Sequence, residues 1–167
     1  MDCTLSKYTD FLLSAPKYAS ASDVLKAAKK LVCPLVNFSD QSGVIAVDDS
    51  IVEKAHTDEN AMICYHWDHS LQRYVKGVNF ISLLYSHAKV DTPIQVRIVE
   101  KTEPYTDNKT GKIKYKSPKT KNENFIEMLE HAVKQVGFQY VLGDSWFSSA
   151  ANINFITKKI SRHAILA

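Results

Sequence analysis

Apolar residues along this chain fall into short runs of two kinds. Residues 43–52 (GVIAVDDSIV) and 140–143 (YVLG) are nearly continuous and rich in β-branched side chains, and the second is followed directly by Asp144. Runs of that length and content predict buried strands. Residues 74–87 (YVKGVNFISLLYSH) and 93–99 (PIQVRIV) predict two more, and strands so close in sequence predict an antiparallel meander. Over 125–136 the spacing changes. Phe125, Met128, Leu129, Ala132, Val133 and Val136 recur at helical intervals, with Asn124 and Glu127 placed as a capping box and Gly137 as a stop. After the YVLG strand a further helix opens near Ser148 or Ser149 and carries Ile153 and Ile156, and HAILA at 163–167 begins one more strand.

The polar segments between these runs are of different kinds. Residues 4–31 carry helical spacing, with Leu5, Tyr8 and Leu12 on one face and Val24, Ala28 and Leu31 on another, so residues 1–40 read as a small helical preface. Residues 53–73 hold HTDEN and YHWDHS without an apolar pattern and read as a polar connection. Residues 103–122 lack an apolar face and contain DNKTGK, a turn signal, which predicts an exposed hairpin or loop. The order strand, strand, strand, helix, strand, helix, strand is that of a ribonuclease H-like mixed α/β sheet, here spanning 43–167 and incomplete at its carboxyl end. No glycine-rich phosphate loop and no internal repeat occur.

At 167 residues, 45% hydrophobic and 23% charged, the composition is that of one ordinary globular domain with a preface. The net charge of +3 is mild, but its distribution is not. Lys109, Lys112, Lys114, Lys116, Lys119 and Lys121 follow one another with no acidic residue among them, a stretch that attracts phosphates without reading sequence. The same stretch also reads as a solvated loop. Cys3, Cys33 and Cys64 show neither metal nor disulfide spacing and predict free thiols in a reducing compartment, hence a cytoplasmic protein with no membrane span.

Candidate chemistry begins with aspartates at strand ends. Two carboxylates held a few ångströms apart by neighbouring strands make an oxygen-rich site for a hard cation in phosphoryl transfer. Asp144 is one such residue. On the first strand either Asp48 or Asp49 qualifies, since alternation lets only one of them face the site. His66, Asp68 and His69 lack the spacing of a zinc centre and read as a polar rim. Trp146 reads as packing beneath the site.

AVDDSIVEK, HTDEN, YHWDHS, YVKGVNF and YVLGDSWFSSAANINFI, in that order, resemble the amino-terminal part of a DDE-type insertion-sequence transposase of the IS-four group. The resemblance runs from about Tyr8 to the end of the chain. It implies that Asp49 and Asp144 are catalytic metal ligands for Mg²⁺ or Mn²⁺, with transposon-end DNA as partner and nucleoid association when bound. It also implies a third ligand, a glutamate on a helix after the last strand, which the 167 residues do not include. The expectation is a transposase fragment, inactive alone. The alternative is a non-catalytic remnant that binds DNA, or binds an intact transposase or a second copy, and interferes with transposition.

Overall fold

The computed structural model describes Lys30, residues 37–88 and residues 90–166. The helical preface, with Cys3 and Cys33, therefore lies outside the described residues apart from helical Lys30. Eight strands and two helices follow among those described: β1 (Val44–Glu53), β2 (Ile63–Asp68), β3 (Arg73–His87), β4 (Val90–Ile98), β5 (Glu103–Thr106), β6 (Ile113–Lys116), α1 (Lys121–Val133), β7 (Tyr140–Gly143), α2 (Ala150–Asn154) and β8 (His163–Leu166). A 3₁₀ turn, Ser145–Phe147, precedes α2, and one π-helical segment, Phe155–Lys159, extends it.

The main sheet is mixed and runs β2-β3-β1-β7-β8, with β4 also on β3. β3 is long enough to pair with β1 along one edge and to share the other between β2, opposite Arg73 to Val78, and β4, opposite Phe80 to His87. A bulge between Leu83 and Leu84 leaves Ile94 of β4 without a cross-strand partner; Pro93 stands beside it. β1 pairs parallel with β7, and β7 with β8. The helices α1 and α2 supply the connections that parallel strands require.

Alternation along the strands decides which face is packed. Ile45 and Val47 of β1, Ile81, Leu83 and Tyr85 of β3, and Val141 of β7 are buried against Phe125, Met128, Leu129 and Ala132 of α1 and Phe155 and Ile156 beyond α2. Phe125 and Phe147 join the layers with ring centroids 5.0 Å apart. Among the described residues no helix is long and apolar enough to cross a membrane.

Two sequence expectations change. Residues 53–73 are not a plain connection, because β2 lies within them, with Cys64 and His66 buried and Tyr65 and Trp67 exposed. The period-two signal is carried by polar and aromatic side chains, which hides it from a count of aliphatic residues. The helix at 125–136 starts earlier, at Lys121. Thr120 accepts from the Glu123 amide while the Glu123 side chain accepts from Thr120, a capping box one turn before the Asn124 expected there. It also closes at Val133, short of Gly137. The basic segment is the hairpin β5–β6, exposed on both faces as its composition requires.

Gly143 sits where the packed strands give way to the 3₁₀ turn. A Cβ there would stand 2.6 Å from Val47 Cγ1 and 3.2 Å from Leu166 Cδ2, both held by the strands on either side. Gly143→Ala is expected to push β7 from β1 and lower the melting temperature by several degrees, measured by circular dichroism. An unchanged melt would show that β7 is not locked against β1.

Candidate carboxylate site

The row of inward side chains on β1 is Ile45, Val47 and then Asp49, so the carboxylate continues the core-facing face where the apolar residues stop. Its Oδ1 accepts from Asn79 Nδ2 at 2.8 Å, and its Oδ2 is ion-paired with Lys121 Nζ. Asn79 is fully buried, and its amide also reaches the Ser50 carbonyl at 3.4 Å. Lys121 is the first residue of α1, fixed there by the Thr120 capping box, and its ammonium lies 5.8 Å from the centre of the Trp146 ring. With side-chain exposures of 21% for Asp49 and 26% for Lys121, the pair is shielded well enough to matter energetically.

Asp144 ends β7 and caps the 3₁₀ turn. Its Oδ1 accepts from the Trp146 amide at 2.7 Å and from the Ser145 hydroxyl at 3.0 Å. The Trp146 amide above all, then Ser145 and the nearby His69 ring, hold this carboxyl below its ordinary range. Asp48 is exposed and accepts from Ser50 Oγ at 2.5 Å. Ala46 pairs with Leu142, so two steps farther along each strand Asp48 and Asp144 share a side, and Asp49 takes the other. β7 leaves β1 at this point, and Asp48, Asp49 and Asp144 line one cleft of about 630 Å³ with Asp68, His69 and Trp146. The end of parallel strands in an open sheet is where such clefts form.

The donor set is suited to a hard cation, and the Lys121 ammonium on Asp49 marks a place where the fold already holds a positive charge. Asp49 and Asp144 are oxygen donors of the kind a hard divalent ion takes, and both line the one cleft, with Asp49 already paired to Lys121. Among the described residues, no group of three His, Cys, Asp or Glu side chains converges to hold one.

The histidines divide differently from the polar rim expected of them. His66 is buried, with Nε2 3.2 Å from Cys64 Sγ, and only His69 reaches the cleft, its ring centre 5.3 Å from that of Trp146. Asp68 caps the turn after β2, accepting from the Ser70 and Leu71 amides, each at 2.9 Å. Burial pushes the His66 pKa down to about 4; Lys101 and Lys121 add to the shift and Asp49 opposes it. Trp146 is 52% exposed, so it walls the cleft instead of packing beneath it.

The lysine run keeps less free charge than its composition suggests. Lys114 is paired with Asp107, Lys116 with Glu103 at 3.9 Å, Lys119 with Glu127 at 2.6 Å and Lys121 with Asp49. The acidic partners lie outside the run: Glu103 and Asp107 just before it, Glu127 just after it, and Asp49 far away on β1. Among the described residues only Lys109 and Lys112 of the six have no carboxylate partner.

No protein family matches this chain. No curated protein matches it either. Among solved structures it is similar to the "Drosophila P element transposase strand transfer complex", with 12% identity and a TM-score of 0.32 over 93% of this chain. The match spans 29% of that chain, less than a third of its length.

Two outcomes follow from the electrostatics. Lys121→Met and Asp49→Asn should each lower stability in urea denaturation. The double variant should lose less than their sum, with a coupling of about 1 kcal/mol. Simple additivity would show the pair to be idle. The second concerns His66, whose folded-state pKa lies below the free value of 6.5. Between pH 6.5 and about 4 the unfolded chain takes up a proton that the folded chain refuses. Stability should be full above pH 6.5 and decline as pH falls toward 4, by at most about 3 kcal/mol. His66→Leu should flatten that slope in melts run across the range.

Proposed function

We propose that this chain carries the first two acidic ligands of a DNA strand-transfer site, of the insertion-sequence transposase type, on a ribonuclease H-like scaffold. One observation carries the reading: Asp49 and Asp144, from neighbouring parallel strands β1 and β7, line the same cleft. The scaffold reading is supported by strand order, since β4-β3-β1-β7-β8 is a three-strand antiparallel meander continued by two parallel strands, with β2 inserted at one edge.

In this reading Asp49 and Asp144 hold a Mg²⁺ or Mn²⁺ ion. Such an ion, when bound, polarises a phosphodiester oxygen and activates the attacking hydroxyl. The protein's own part is positional. Asn79 fixes the Asp49 carboxylate through a buried amide, and the 3₁₀ turn fixes Asp144 through the Trp146 and Ser145 donors. Lys121, released when a cation takes its place on Asp49, offers its charge to a phosphate at the mouth of the cleft. Lys109 and Lys112 add weak, sequence-independent attraction to DNA.

Two carboxylates hold a hard cation weakly, since ligand charge and count set its affinity, so this pair is read as binding without turnover. A non-catalytic protein that occupies transposon ends, or pairs with a transposase or a second copy, is the alternative reading.

The test is calorimetric titration with Mn²⁺ beside incubation with supercoiled DNA. Weak Mn²⁺ binding is expected, lost in Asp49→Asn and in Asp144→Asn and strengthened several-fold in Lys121→Met, with no DNA nicking above background. Binding indifferent to both aspartates would overturn the site. Nicking that disappears in either aspartate variant would overturn the claim that two carboxylates do not suffice.

A further inference from the structure

A larger cavity than the carboxylate cleft, about 1020 Å³, lies between the β2–β3 edge of the sheet and the β5–β6 hairpin. Tyr65 of β2 and Tyr74 of β3 form one wall, and Tyr105 of β5 with Ile113 and Tyr115 of β6 form the other. Their rings are open to solvent: 51% for Tyr65, 66% for Tyr74, 42% for Tyr105 and 58% for Tyr115. Four exposed tyrosines facing one groove are more than scattered surface apolar residues. Tyr74 is braced from behind by Trp67, edge to face, with ring centres 5.1 Å apart.

Cations stand between the rings. Lys101 lines the groove with its ammonium 2.6 Å from the Tyr65 carbonyl oxygen. Lys114 lines it too, tethered to Asp107 and within electrostatic reach of both Tyr105 and Tyr74, one from each wall. Lys76 lies opposite Tyr65 in the β2–β3 ladder and so shares its face. The one acidic residue of the lining is Glu59.

Stacking faces alternating with ammonium groups match a chain that alternates flat bases and phosphates. Duplex DNA keeps its base faces covered, so it would meet the lysines and leave the rings idle. A proline-rich peptide would use the rings and leave the lysines idle. A single strand uses both.

We infer that this groove binds a single-stranded segment of nucleic acid, with bases on Tyr65, Tyr74, Tyr105 and Tyr115 and phosphates toward Lys101 and Lys114. The inference shares a partner class with the proposed function but uses none of its carboxylates. Recognition here is sequence-tolerant, because every base offers a π face.

The probe is a fluorescein-labelled oligothymidylate, compared by anisotropy with a duplex of equal length. The parent chain should bind the single strand more tightly than the duplex. Tyr74→Ala and Tyr115→Ala should each weaken it by roughly tenfold, as expected for one lost stacking contact. Tyr74→Phe and Tyr115→Phe should retain it, and all four variants should melt like the parent because these rings are exposed. Asp49→Asn and Asp144→Asn should leave oligothymidylate binding intact, which separates this groove from the carboxylate cleft. Equal affinity for duplex, indifference to the alanine variants, loss of binding in the aspartate variants, displacement by a proline-rich peptide with no oligothymidylate binding, or no binding at all would overturn the inference.

Discussion

The arrangement depends on β1 being hydrogen-bonded along both edges, antiparallel to β3 and parallel to β7. A strand held on two sides cannot rotate or slip without turning its apolar row out of the core. Ile45 and Val47 therefore fix the side on which Asp49 emerges, and Asp48 is assigned to the other side by the same alternation. The pairing of Ala46 with Leu142 then sets Asp144 level with Asp48, and where β7 leaves β1 all three aspartates line one cleft. Gly143 makes this approach possible, since a larger residue would strike Val47.

That constraint leaves a carboxylate at the end of a packed face, where water is scarce and an unbalanced charge is costly. The fold answers it with an ammonium from α1 and a buried amide from β3. The same economy of charge runs through the basic hairpin, where Lys114 and Lys116 are matched to Asp107 and Glu103 of the hairpin itself, and past it, where Lys119 is matched to Glu127 of α1. The surface that positive charge leaves for phosphates is therefore smaller than the lysine count implies.

How much of this the sequence discloses depends on the range of the interaction that decides it. Aliphatic runs and helical spacing disclosed β1, β3, β4, β7 and α1, because burial of each depends on its own residues. β2 was missed since its inward residues are Cys64 and His66, which no hydrophobic count recognises as a buried face. The start of α1 was missed by one turn because Thr120 and Glu123 compete with Asn124 and Glu127 as a cap, and the Lys121 contact with Asp49 adds to the earlier choice. Asp144 is legible as a strand-end aspartate, whereas Asp49, expected at a strand end too, lies mid-strand because β1 runs on to Glu53 against β3; their shared cleft needs the parallel pairing of β1 and β7. The tyrosine groove was not legible at all, since its two walls come from segments separated by most of β3 and all of β4.

The central claim is that one cation site is made jointly by Asp49 of β1 and by Asp144 at the end of β7. Paramagnetic broadening of amide signals by substoichiometric Mn²⁺ tests it most directly, because the effect falls steeply with distance from the ion. The account predicts broadening confined to the amides around Asp49 and around Asp144, both appearing at the same Mn²⁺ concentration and both vanishing in Asp144→Asn. Broadening at only one of the two strands, or centred on the exposed acids of β5 and its turn, would contradict it.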